Sequence, residues 1–433
     1  MDTAALVAAT PATRQRSVDL LRTASLGVVV LGHWLMAVLA WEDGRPTVGN
    51  ALTDVPAARY ATWVLQVMPV FFVVGGVANA LSLARWAGTD GAWRWSRAAR
   101  LLRPTAVLLA VWTAAGVGLG LAGADGPLLR SVTRGVTQPL WFLAVYLLVV
   151  GLAPSMLRAH RRWGAGVLVV LGGLAVAFDG RALNYVVVWL GASQLGFWWA
   201  DGTLLAWSRR RALALAGGGL AALALLTTVG GYPVSMVGLP GERSNMSPPT
   251  PCIVALTLVQ LGLVLAARPA LERWLARPAI WGVVVRGSAV AMTVFLWHLT
   301  ALALVAVPFL ALGFPAPEVG SGAWWALRPV WVAASGLVLL GIVRVAGPVE
   351  WRAATTRSRR AEPHVVWPST PGTTVLGLAG VVVGLLLVAT GGLAGPGSTY
   401  FGPAVPPLVA LAVLAGGAGL LRAAGTPPLP SAR

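Results

Sequence analysis

Residues 16–34 read RSVDLLRTASLGVVVLGHW. A charged base, Arg16, Asp19 and Arg22, runs into an apolar stretch that carries one imidazole, His33, deep inside it. On an α-helix Arg22 and His33 are eleven residues and close to three whole turns apart, so they share one face, about 16 Å apart along the axis. Asp19 and Arg22 are three apart and can pair at the helix base. An ionisable residue inside an apolar span is costly and is a functional candidate for that reason. A structural use, Arg22 as an interfacial anchor and His33 as a satisfied interhelical histidine, fits the spacing equally.

The rest of the chain says what surrounds this stretch. Of 433 residues, 57% are hydrophobic and 11% charged, and mean hydropathy is +0.76. A soluble domain is about a quarter charged, so the chain reads as a membrane protein with its apolar surplus facing lipid. Twelve apolar runs have bilayer-crossing length: 20–41, 60–83, 104–123, 139–157, 164–179, 183–206, 212–230, 251–267, 288–312, 324–346, 372–394 and 403–421. The fifth and sixth are the weakest. The predicted fold is all-α, a polytopic transmembrane bundle of about 10–12 spans. Its expected organisation is an N-terminal segment 1–17, a main bundle 18–346, a linker 347–371, a helix pair 372–421 and a Pro-rich tail 422–433. No cleavable signal peptide is evident, because the first apolar run is too long for a signal core.

The net charge of +18 comes from 32 basic residues, all Arg, against 14 acidic ones. With the N-terminus inside, 25 arginines fall in inner segments and 7 in outer ones. That is the positive-inside pattern, and it predicts cytoplasmic termini rather than a nucleic-acid surface. The single cysteine, Cys252, excludes an intrachain disulfide and any CxxC site. No metal site is expected.

Further polar landmarks are few. The second run contains MPVFFVVGGVANALS, where Gly75 and Gly76 suit close helix approach and Asn79 needs a partner. The connection after it, RWSRAARLLRPTAV, repeats arginine at 97, 100 and 103 before Pro104. It reads as a basic loop suited to anionic lipid or to bidentate phosphate contacts. QPLWFLAVYLL places Gln138, Trp141 and Tyr146 at or near the outer interface, in an aromatic belt. VFLWHLTAL carries His298, a second histidine at membrane depth. His160 and His364 fall in Arg-rich loops and are expected to be solvated. The segment 231–250, rich in Gly, Pro and Ser, reads as an outer loop or partial lid, and 268–287 reads as an inner loop.

Taken in order, these landmarks resemble the acyltransferase 3 family of integral membrane acyltransferases. The resemblance rests on Asp19 and Arg22 followed by ten residues and His33, on Pro-Val-Phe-Phe at 69–72 with Gly75 and Gly76, on Arg97 and Arg100 before Pro104, on Leu140–Leu143, and on FLWHL with His298. The commoner family form has Ser at Gly75 or Gly76, and Arg103 leaves the basic motif ambiguous by one turn. The resemblance covers about 16–346 and implies a stand-alone acyltransferase without an appended hydrolase-like domain. It implies transfer of an acyl group, expected to be acetyl, from cytoplasmic acyl-CoA to a hydroxyl of a sugar, glycan, lipid-linked or small-molecule acceptor. His33 would be the base for direct attack, or the carrier of a covalent acyl-histidine, the two routes both being open. Arg22, Arg97, Arg100 and Arg103 would hold the donor's phosphates. Asp19, Asn79, Trp141 and His298 would support them, shaping the acceptor pocket or polarising the thioester. The expected location is a bacterial plasma membrane, with lipids as surroundings and no nucleic-acid partner. The competing readings are a twelve-span secondary transporter, with His33 and His298 as a proton relay, and a lipid-linked glycan flippase or polymerase.

Overall fold

A computed structural model describes residues 14–356 and 370–425 apart from a few positions at 43–44, 125, 315, 395–396 and 400–401, together with 7–8 and 10–11. Thirteen helices of more than one or two turns follow in order. They are α1 (Arg16–Met36), α2 (Met68–Ala84), α3 (Asp90–Leu121), α4 (Gly126–Thr137), α5 (Leu140–Trp163), α6 (Ala165–Ala177) and α7 (Asn184–Ala200). Then come α8 (Arg209–Thr228), α9 (Pro251–Leu275), α10 (Pro278–Ala311), α11 (Gly322–Thr356), α12 (Pro371–Gly391) and α13 (Pro407–Ala424). Among the described residues ten helical segments are long and apolar enough to cross a membrane. The fifth and sixth apolar runs fall short of that length, as α6 and α7. They still connect the two faces of the bundle. Asp179, in the turn after α6, accepts from Tyr232 and Arg243 on one face, and Asp201, just past α7, bonds His160 at the end of α5 on the other.

Three expectations about connections are corrected. The basic segment before Pro104 is no loop: it forms the first turns of α3, which Thr89 caps by accepting from the Ala92 N–H. An N-cap threonine followed by Asp90 is a strong helix start, and it lies well upstream of the apolar run. The connection 268–287 is likewise nearly all helix, since α9 runs to Leu275 and α10 starts at Pro278. The first apolar run ends early, because Ala37–Glu42 and Arg45–Asn50 pair as an antiparallel hairpin, β1 and β2. Of the 347–371 segment, α11 takes the part to Thr356, and 357–369 lies outside the described residues, as do His364 and the tail beyond 425.

Small residues set the helix spacing. Gly76 of α2 lies against the Ser193 carbonyl of α7, and Gly196 of α7 lies against the Val73 carbonyl, with Val77 N only 2.7 Å from where a Cβ would stand. Gly196→Ala is therefore expected to force α2 and α7 apart and to destabilise the bundle by about 1–3 kcal/mol. The check is the thermal unfolding midpoint in detergent. A midpoint equal to that of the unmodified chain would show that the two helices need no such contact. Glycines likewise join the last pair: a Cβ at Gly384 of α12 would stand 2.6 Å from Leu414 Cα of α13. That pair docks on α4 and α5: Thr137 of α4 donates to Val388 O at 3.1 Å, and Leu378 covers Gly151 of α5.

The segment 231–250 is irregular and tied down. Asn245 donates to the Pro233 and Ser235 carbonyls and accepts from Thr250. Trp63 and Gln66 donate to its Val234 and Met236 carbonyls. It folds over the ends of α2 and α9 on the face away from the arginine clusters.

Candidate active site

At the base of α1 the Ser17 hydroxyl and N–H both donate to Glu272 of α9, at 2.5 and 3.1 Å, and Arg16 donates to Leu275 O. Thr23 meets Ser288 of α10 at 2.7 Å. These contacts hold α1 between α9 and α10 and fix its rotation. Asp19 is buried and receives two bonds from Arg14, at 2.6 and 2.9 Å. Arg22 has a single longer contact to it, 3.3 Å. Arg14 thus satisfies most of the carboxylate, and the Arg22 fork keeps donors for another anion.

Arg97 of α3 lies over Trp93, 5.5 Å from the ring centroid. It feels Arg22 and Arg100 as like charges and lies beside the Tyr146 hydroxyl. Three guanidinium groups from α1 and α3 so converge at one end of the α1 stripe. Arg97 and Arg103 are half-buried and Arg100 is exposed, at the rim. Tyr146 differs from its expected place in an aromatic belt. Its ring packs against Gly75, with a distance of 3.2 Å to a Cβ built there, and against Phe71, Phe72 and Phe142, while its hydroxyl is within electrostatic reach of Arg22 and Arg97. The absence of a side chain at Gly75 is what makes room for it.

Three turns along α1, the His33 Nδ1 lies 3.0 Å from the His298 Nε2 of α10, with the rings stacked at 5.1 Å. His298 is fully buried, and its Nδ1 is 2.6 Å from the Phe295 carbonyl. That oxygen can only accept, so His298 Nδ1 carries hydrogen. In a neutral pair His298 Nε2 then accepts from His33 Nδ1–H, and the lone pair of His33 is left on Nε2. The pair is braced: Trp34 donates to His298 O at 3.0 Å, Trp331 to Trp34 O at 3.1 Å, and Trp112 to the Thr300 hydroxyl at 3.0 Å. A ring chain, Phe71–Phe142–Phe295–His298, links α2, α5 and α10 to the dyad at centroid spacings of 5.2, 5.5 and 6.0 Å.

The remaining candidates sit apart. Trp141 packs on Phe142 and Tyr185, and Asn79 is buried in α2 beyond the phenylalanine pair. His160 is not solvated: Gln194 meets its Nδ1 at 2.9 Å and Asp201 its Nε2 at 2.9 Å. Burial alone would push the Asp201 carboxyl up, but bonds from Thr203 and His160 outweigh it and hold it below the usual carboxylate range. With both nitrogens occupied, His160 ties α5 to α7. Among the described residues no three His, Cys, Asp or Glu side chains gather as metal ligands. The His33–His298 contact joins residues 265 apart, which no local spacing could reveal.

Comparison with curated proteins and with solved structures returns no match. A family model described as an acyltransferase domain matches residues 15–346. That range holds the arginine cluster, the ring chain and the histidine dyad together. The chain is an integral membrane protein of the acyltransferase 3 family.

Proposed function

We propose that this protein transfers an acyl group, acetyl in the first instance, from acyl-CoA to an acceptor hydroxyl. The observation that carries the reading is the dyad, in which His298 leaves His33 Nε2 as an oriented lone pair within one bundle with three arginines. The arginine-rich face is cytoplasmic in this reading, because 25 of the 32 arginines cluster there, and the membrane is a bacterial plasma membrane. Residues 18–346 carry the activity and 372–421 form a peripheral pair.

Arg22, Arg97 and Arg100, with Arg103 behind them, hold the donor's phosphates by charge-assisted bonds. The pantetheine arm runs along α1 towards His33, across about 16 Å. His33 Nε2 takes the proton of the acceptor hydroxyl as its oxygen attacks the thioester carbon. The C–O bond forms, the C–S bond breaks, and the CoA thiolate leaves and recovers the proton from His33. Because both His298 nitrogens are engaged, its role is to orient His33 rather than to polarise the carbonyl.

The test is incubation of the purified protein with labelled acyl-CoA and a panel of hydroxyl acceptors, following CoA release and any labelled protein adduct. Acceptor-dependent CoA release with no adduct supports direct attack, and a transient adduct assigns an acyl-histidine. No CoA release with any acceptor would count against the reading and favour a transporter. Arg22→Ala is expected to raise KM for the donor about tenfold and to leave the ranking of acceptors as it was. A loss confined to acceptor KM would place the donor elsewhere.

A further inference from the structure

Arg328 stands on the face away from the arginine cluster, in the second turn of α11. Its Nη1 donates to Ala37 O at 3.0 Å, four residues past His33 where α1 gives way to β1, about 6 Å along the axis. The guanidinium lies 4.1 Å from the Trp324 ring centroid and 5.7 Å from that of Trp331. Both indoles are buried. Two indoles therefore flank the guanidinium. No carboxylate pairs with it among the described residues. Its Nε is buried and meets no acceptor. A half-buried cation with an orphan N–H is incomplete, and a planar acceptor pair would complete it.

The same face of α11 continues towards the dyad. Trp331 and Ser335 follow Arg328 by three and seven residues, on one helical stripe. Trp331 bonds Trp34 O, and Gly336 approaches the Trp34 ring, so this stripe lies along α1 beside His33. Ser335 is fully buried, and its hydroxyl has no hydrogen-bond partner. Two unmet polar groups, one cationic and one neutral, thus line the side of α1 opposite the donor end.

The geometry points to Arg328 as the residue that selects the acceptor, by binding an anionic group, a carboxylate or a phosphate monoester, carried by the molecule whose hydroxyl reaches His33. This rests on the acyl-transfer reading above. The unpaired Ser335 hydroxyl, about 10 Å along α11 from Arg328 and so past the level of His33, offers a second polar contact to the same acceptor.

The experiment uses the full chain in phosphatidylcholine nanodiscs with labelled acetyl-CoA and three matched sugars: glucose, glucuronate and glucose 6-phosphate. At least one charged sugar is expected to exceed glucose by about tenfold or more in kcat/KM, through KM. Arg328→Gln is expected to collapse that ratio towards one, and Arg328→Lys, which keeps the charge but not the fork, to restore part of it. A ratio near one in the unmodified chain, or a ratio that Arg328→Gln leaves intact, overturns the proposal. A second readout does not depend on turnover. The same charged sugar should raise the thermal unfolding midpoint of the unmodified chain and not that of Arg328→Gln. Equal shifts in both, or none in either, count against the site even if no sugar is acylated, whereas a selective shift without turnover would fault the acyl-transfer reading alone. Discs of phosphatidylglycerol separate a soluble anion from a headgroup: the ratio should persist there, and its loss would assign the fork to lipid and overturn acceptor selection.

Discussion

Replacing His33 with Ala is expected to abolish acyl transfer while the chain still inserts and accumulates. The expected fall in kcat/KM is at least about a thousandfold, within the range for removing a positioned general base. Position decides the outcome. His33 is half-buried on α1, and α1 is held at its base by Ser17–Glu272 and Thr23–Ser288 and at its far end by Trp331 and Arg328. None of those contacts uses the imidazole, so its loss leaves the helix seated. His298 loses one hydrogen-bond partner but keeps Phe295 O. The measurement is CoA release under saturating donor, beside a detergent-extracted accumulation control. Unaltered transfer by a well-accumulated variant would remove His33 from the chemistry. His33→Gln sharpens the result, since an amide keeps some polarity at the position but offers no basic nitrogen.

Much of this arrangement is legible in the order of residues. Apolar runs of bilayer length identify the helices, and arginine placement separates the two faces. The eleven-residue spacing of Arg22 and His33 puts a cation and an imidazole on one stripe. Periodicity stops at the edge of one helix, however. The basic run before Pro104 looks like a loop because its residues are polar, yet Thr89 and Asp90 start a helix there. Tyr146 looks interfacial because aromatics favour membrane boundaries, yet Gly75 on another helix opens a seat for it. Arg328 counts in the sequence as one of seven outer arginines. Only the hairpin after α1 and the indoles of α11 give it a place. For Tyr146 and Arg328 the deciding partner comes from a distant segment, whereas the helix start at Thr89 and Asp90 is local and lies upstream of the apolar run.

His298→Ala is the sharper test of how the base works. The ring of His298 supplies a single acceptor to His33 Nδ1–H, and the Phe295 carbonyl fixes which nitrogen does so. Without it His33 can place its hydrogen on either nitrogen, and the tautomer with Nε2–H has no lone pair facing the acceptor. A base in the wrong tautomer is a large loss, about ten-thousandfold where the orienting aspartate of a serine-protease triad is made an amide. A neutral histidine orients less strongly than a carboxylate, so the expected fall in kcat here is about a hundredfold. Donor KM should move little, because the arginine cluster lies three turns away and shares no contact with the dyad. His298→Gln separates orientation from packing. An amide oxygen can still accept from His33 Nδ1–H, and activity should recover part of the way. A variant pair in which Ala and Gln are equally impaired would reduce His298 to a packing residue. A rise in donor KM without a fall in kcat would instead place the dyad in donor binding.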